Sequence, residues 1–101
     1  MRIGYLGGSF DPPHYGHLIL ASEAVHHLQL DRLEWILTPE PPHKPDRSLT
    51  PVKIRQRMVE AAIAGNSAFL LSRVDLDRQP PYYAAESLEI LRERRPEDEL
   101  F

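Results

Sequence analysis

Eleven residues near the start of the chain constrain its fold more than any other stretch: Gly7-Gly8-Ser9-Phe10-Asp11-Pro12-Pro13-His14-Tyr15-Gly16-His17. They follow a short apolar run, Ile3-Gly4-Tyr5-Leu6, that reads as a first strand. They precede Leu18 to Leu28, where apolar residues return at helical intervals (Leu18, Ala21, Val25, Leu28). A glycine pair therefore ends a strand, and two histidines three residues apart open a helix. That spacing lies on one helix face, so His14 and His17 can address the same point in space. The unpaired N–H groups at the helix start face that point too, with the positive end of the helix dipole behind them. Glycines permit close backbone approach, and imidazoles can donate hydrogen bonds or hold positive charge. The ligand best suited to such a place is a phosphate group.

The rest of the chain alternates in the same way. Arg32 to Leu37 reads as a second, buried strand. From Thr38 to Pro51 five prolines (Pro39, Pro41, Pro42, Pro45, Pro51) exclude helix and strand through most of the segment. A stiff loop at the carboxyl end of a strand is where open α/β sheets place ligands. Thr50-Pro51 predicts a helix start, with a capping hydroxyl and proline at the first helical position. This helix is expected to run to about Ala64, packing through Ile54, Met58, Ala61 and Ala62, and to stop at Gly65-Asn66. Phe69 to Ser72, extending toward Val74, predicts a third strand, Asp75 to Pro81 a loop, and Tyr83 or Ala84 to Arg95 a third helix aligned on Ala84, Leu88, Leu91 and Arg95. Pro96 ends it, and Leu100-Phe101 opens a fourth strand. The βαβαβα order predicts an α/β fold, a Rossmann-like doubly wound parallel sheet with right-handed connections. Residues 1–101 fall within a single domain.

Charge narrows the function. The net charge of -3 argues against general nucleic-acid binding, which needs a broad basic surface. Five Lys/Arg and one acid between His43 and Arg57 form a candidate anion site, whereas six acids and three bases between Glu86 and Glu99 read as a solvated helix face. There is no cysteine, hence no thiolate catalysis and no disulfide framework. No run reaches membrane-span length, and the N-terminus enters a strand pattern directly, so a cytoplasmic protein is expected. An exposed fourth-strand edge leaves homo-oligomerisation open.

The eleven-residue stretch resembles the G-G-[ST]-F-D-P-x-H-x-G-H signature of the nucleotidylyltransferase superfamily, and within it the bacterial nicotinate-nucleotide adenylyltransferases. Pantetheine-phosphate adenylyltransferases usually carry Thr where this chain has His14. Pro41-Pro42-His43-Lys44-Pro45 resembles a second family loop, Arg57-Met58 a helix pair, and Pro80 to Leu88 a segment usually written P-S-Y-T-x-D-T-L, with Tyr82 and Ala84 departing from it. The resemblance covers the N-terminal part of such a domain. It implies adenylyl transfer from ATP to nicotinate mononucleotide, with pantetheine-phosphate adenylyl transfer or ATP binding without turnover as alternatives. By the same resemblance, His14 and His17 are the catalytic pair, and Gly7, Gly8, Ser9 and Phe10 join them around ATP. His43, Lys44, Tyr83 and Ala84 meet the acceptor, and Mg²⁺ is carried with ATP.

Plainer readings compete at each position. The histidines can also be read as a cap and a packing residue, or as half of a zinc site that lacks two further ligands; no metal-ligating set is expected. Gly7-Gly8 can make a tight turn, and the absence of G-x-G-x-x-G removes support for hydride-transfer cofactors. Asp11 is expected to fix the loop, Phe10 and Met58 to pack, and His26-His27 to lie on the surface. Arg47 can reach the same anion as Lys44 or be solvated.

Overall fold

The computed structural model describes residues 1–40 and 49–101. The expected ligand contacts at His43, Lys44 and Arg47 lie outside the described residues. The elements are β1 (Arg2–Gly8), α1 (Tyr15–His27), β2 (Arg32–Leu37), α2 (Val52–Ile63), β3 (Phe69–Ser72), α3 (Ala84–Arg94) and β4 (Glu99–Leu100). The strands form one sheet in the order β3-β2-β1-β4, every pairing parallel. The chain thus winds outward from β1 through β2 to β3, then returns to the other side of β1. This is the doubly wound arrangement expected from the alternation, and its switch point lies at the carboxyl end of β1.

Pairing of Gly4 with Leu33, Leu6 with Trp35 and Gly8 with Leu37 puts these six residues on one face of the sheet. There Leu33, Trp35 and Leu37 join Ala21 of α1 and Val59 and Ile63 of α2 in the main core. On the opposite face Ile36 packs with Val74 and with Leu91 of α3. Gly4 has a packing reason: a Cβ there would run into Leu30.

Two helices present other faces than their sequences suggest. In α2 the buried residues are Arg55, Val59 and Ile63, while Ile54 is 47% exposed. Its apolar residues outnumber one stripe, and an arginine inside the true stripe disguises it. In α3 the buried residues are Ser87 and Leu91, and Leu88 is 46% exposed. Ser87 is drawn in by a buried carboxylate described below. The expected Thr50 cap is also replaced. Pro51 holds the N-cap position without a side-chain bond, and Thr50 instead donates its backbone N–H to Asp11 (3.0 Å) and accepts from Arg55 Nε on its carbonyl (2.7 Å).

Candidate active site

The glycine pair completes β1, with Gly7 opposite Ile36 and Gly8 opposite Leu37. Neither glycine has positive φ; the left-handed residue is Phe10, at φ 48°. The glycines therefore serve by what they leave empty rather than by an unusual turn. A Cβ on Gly7 would meet nothing within 4 Å, and one on Gly8 would touch the Phe10 ring at 3.4 Å. Phe10 is buried against Trp35 and His17, with ring centroids 5.2 and 5.0 Å away. A bulky residue in a conformation that disfavours it marks a loop fixed by its surroundings.

That loop delivers the chain to α1, which begins with a reciprocal cap. His14 is the N-cap residue, and its Nδ1 accepts the backbone N–H of Gly16 (3.1 Å). His17, at the third helical position, accepts the backbone N–H of His14 on its own Nδ1 (3.0 Å). This is the geometry of a capping box, built from imidazoles instead of Ser/Thr and Glu/Gln. The rings stack with centroids 3.9 Å apart. An Nδ1 that accepts cannot carry the proton, so each neutral ring holds it on Nε2. Among the described residues neither Nε2 has a hydrogen-bond partner. Burial, and then the charge of His14, hold the His17 pKa below its ordinary 6.5. The cap geometry thus leaves each ring, when neutral, one Nε2–H donor not engaged by the cap.

On the α3 side of the sheet, a cavity of about 480 Å³ opens at the carboxyl ends of β1 and β2. Gly7, Gly8 and Ser9 line one wall, Tyr82, Tyr83 and Ala84 another, with Tyr5, Thr38 and Asp75 between them. The structure thus brings the glycine loop together with Tyr83 and Ala84, while Phe10 lies beneath the loop and the histidines cap the neighbouring helix.

Two charged residues that the sequence left unremarked organise these walls. Asp75 is 2% exposed and accepts from Thr38 Oγ1 (3.0 Å), Ser87 Oγ (2.6 Å) and Arg78 Nε (3.1 Å). Arg78 also donates to the carbonyl of Tyr83 (3.1 Å), tying down the turn that leads into α3. Arg55, also 2% exposed, donates to the carbonyls of Ser9, Thr38, Pro39 and Thr50 at 2.7–2.9 Å. Burial pulls its pKa below the ordinary arginine value, and the charge of Asp11 opposes this. The signal for Arg55 was its place in the stripe Val52, Arg55, Val59, Ile63, not the neighbouring Arg57, which is exposed. At the far side of the cavity floor, burial and then the charge of Glu34 raise the Tyr5 pKa, so its phenol stays protonated while accepting from Arg95 (2.7 Å).

Among the described residues no three His, Cys, Asp or Glu side chains gather to hold a metal ion. Among the same residues no helix is long and apolar enough to cross a membrane.

The chain is 44% identical over 100 residues to a probable nicotinate-nucleotide adenylyltransferase of Bacillus pumilus, an alignment covering 99% of this chain and 53% of the relative. It is 45% identical over 101 residues to a protein of the same description from Thermus thermophilus, covering 100% and 53%. The chain thus spans about half the length of these curated relatives. Among solved structures it superposes on Plasmodium falciparum nicotinic acid mononucleotide adenylyltransferase complexed with NaAD, with a TM-score of 0.80 and 23% identity, over 98% of this chain and 49% of the other. That likeness establishes the nucleotidyltransferase-type Rossmann-like fold. Residues 5–101 match the cytidylyltransferase-like family, and the chain belongs to it.

Proposed function

We propose that this chain carries adenylyl transfer from ATP to nicotinate mononucleotide, giving the deamido dinucleotide and pyrophosphate. The observation that carries the reading is the imidazole capping box, which leaves two stacked Nε2–H donors at a helix N-terminus beside a glycine loop. The relatives' names supply the acceptor.

An acceptor phosphate oxygen attacks the α-phosphorus of ATP in line. A phosphorus–oxygen bond forms as the bond to pyrophosphate breaks. The nucleophile is already an anion, so the protein need supply neither a base nor a covalent intermediate. Its work is alignment and the stabilisation of charge on phosphate oxygens. His14 and His17 donate to those oxygens from Nε2, and the N–H groups of Gly8 to Phe10 bind alongside. Tyr83 and Ala84 form the acceptor wall, and His43 with Lys44 draws in the acceptor phosphate. ATP arrives as its magnesium complex, which neutralises the β- and γ-phosphates. The reaction is expected in the cytoplasm.

The test is ATP-dependent pyrophosphate release with nicotinate mononucleotide, nicotinamide mononucleotide and phosphopantetheine in parallel. Fastest release with nicotinate mononucleotide supports the reading. Faster release with phosphopantetheine keeps the chemistry and overturns the acceptor. ATP binding without release from any of the three makes the chain a nucleotide-binding module.

A further inference from the structure

We propose that Arg55 is a positioning residue that sets the glycine loop at a fixed distance from the end of β2, and so aligns the phosphate-binding backbone; the link to alignment rests on the proposed function. Arg55 does not itself line the cavity. Its side chain bonds the backbone of three segments at the sheet's carboxyl edge: Ser9 after β1, Thr38 and Pro39 after β2, and Thr50 before α2.

The chemistry explains why this position demands a guanidinium. Four carbonyl oxygens, spread over three segments, are met at 2.7–2.9 Å by Nε, Nη1 and Nη2 of one rigid plane. A lysine ammonium offers its donors from a single nitrogen and cannot span that spread. Arg55 is 2% exposed and its four bonds are part-buried, so a carbonyl that loses the guanidinium is left in a site that solvent reaches only in part. Asp11 completes the arrangement by accepting the N–H of Thr50 at 3.0 Å, which links the residues before His14 to the same hub. A shift of about 1 Å in such a frame is enough to cost on the order of 10²-fold in a step that depends on alignment.

A buried arginine with four bonds also holds the fold together, so the test must separate local positioning from general stability. Arg55→Lys is compared with Val59→Ala, which removes core volume one turn further along the same buried stripe. Peptide-resolved amide hydrogen exchange is measured on both and on the unaltered chain. The expected result is faster exchange in Arg55→Lys confined to residues 8–11, 38–40 and 49–51, with β1 residues 3–6 and β3 unchanged. Val59→Ala should instead raise exchange through α2 and the sheet. Where adenylyl transfer is measurable, Arg55→Lys lowers kcat roughly 10²-fold and changes KM for ATP less than about threefold. Val59→Ala keeps kcat at a temperature where it is folded.

Uniformly faster exchange in Arg55→Lys, or equal kcat loss in both variants at matched Tm, overturns the proposal. If Arg55→Lys does not fold, Arg55→Gln is measured in its place, and failure of both to fold also overturns it. Absence of transfer by the unaltered chain counts against the proposed function alone, because the exchange pattern reports on the hub without any turnover.

Discussion

His17 Nδ1 accepts the backbone N–H of His14 at 3.0 Å, so the residue proposed to face the phosphates also closes the helix that presents it. One side chain serves two ends, and the two can be parted. His17→Gln keeps an acceptor at the third helical position, where Glu or Gln normally completes a capping box. His17→Ala keeps neither function. Both substitutions should cut turnover by roughly 10²–10³, the scale for one lost transition-state donor. Only His17→Ala should also lose about 1 kcal/mol of stability. Thermal melts beside the pyrophosphate assay check both parts, and full turnover in His17→Gln removes His17 from the chemistry.

The depressed pKa of His17 makes stability depend on pH. In the folded chain the imidazole resists protonation, whereas in the unfolded chain it takes a proton near 6.5. The unfolded state thus binds more protons as pH falls, and stability declines from about pH 6.5 down through the folded pKa. Above that window the contribution is complete. The unaltered chain should lose Tm relative to His17→Gln between about pH 7 and pH 5. A constant difference across that range contradicts the partly buried imidazole that resists protonation.

Gly16 separates helix stability from site geometry. Alanine is the better helix former, by about 1 kcal/mol. Yet a Cβ at Gly16 would lie 2.8 Å from Cε1 and 2.9 Å from Nδ1 of His14, so the imidazole must swing away. Gly16→Ala is therefore expected to leave Tm within a few degrees and to lower turnover at least tenfold. Melting curves and initial rates on one preparation decide it, and unchanged rates would show that His14 is free to move.

Asp75 gives a prediction about stability. It is buried with three donors, one of them the mostly buried guanidinium of Arg78. Asp75→Ala removes the carboxylate that this cation, Thr38 and Ser87 share and should cost about 3 kcal/mol. Urea unfolding measures it. A cost near zero would mean that Arg78, which also reaches Ser87 and Glu86, repairs the site by itself.

Where the sequence speaks locally, the structure follows it. The strands at Arg32–Leu37 and Phe69–Ser72, the parallel winding and the histidines at the mouth of α1 were all legible, because periodicity, proline placement and the motif act over a few residues. What stayed hidden depends on distant partners. Ser87 is buried because Asp75, twelve residues earlier, needs a donor, and Arg55 because carbonyls of four other residues converge on it. The stripe Val52, Arg55, Val59, Ile63 hints that Arg55 turns inward, but no local pattern names the carbonyls it meets or the partner of Ser87. The apolar stripe of α2 was misplaced for the same reason: its key member is charged. The Nδ1 roles of His14 and His17 likewise needed coordinates, since spacing shows that two rings share a face but not which nitrogen is already engaged.

The most direct measurement uses ATP radiolabelled at the α-phosphate, mixed with this chain, magnesium and nicotinate mononucleotide. The account predicts that label moves into a dinucleotide with one pyrophosphate released per transfer, and that His17→Ala slows the movement roughly 10²-fold or more. Label that remains entirely in ATP, or that moves equally fast in His17→Ala, would contradict it.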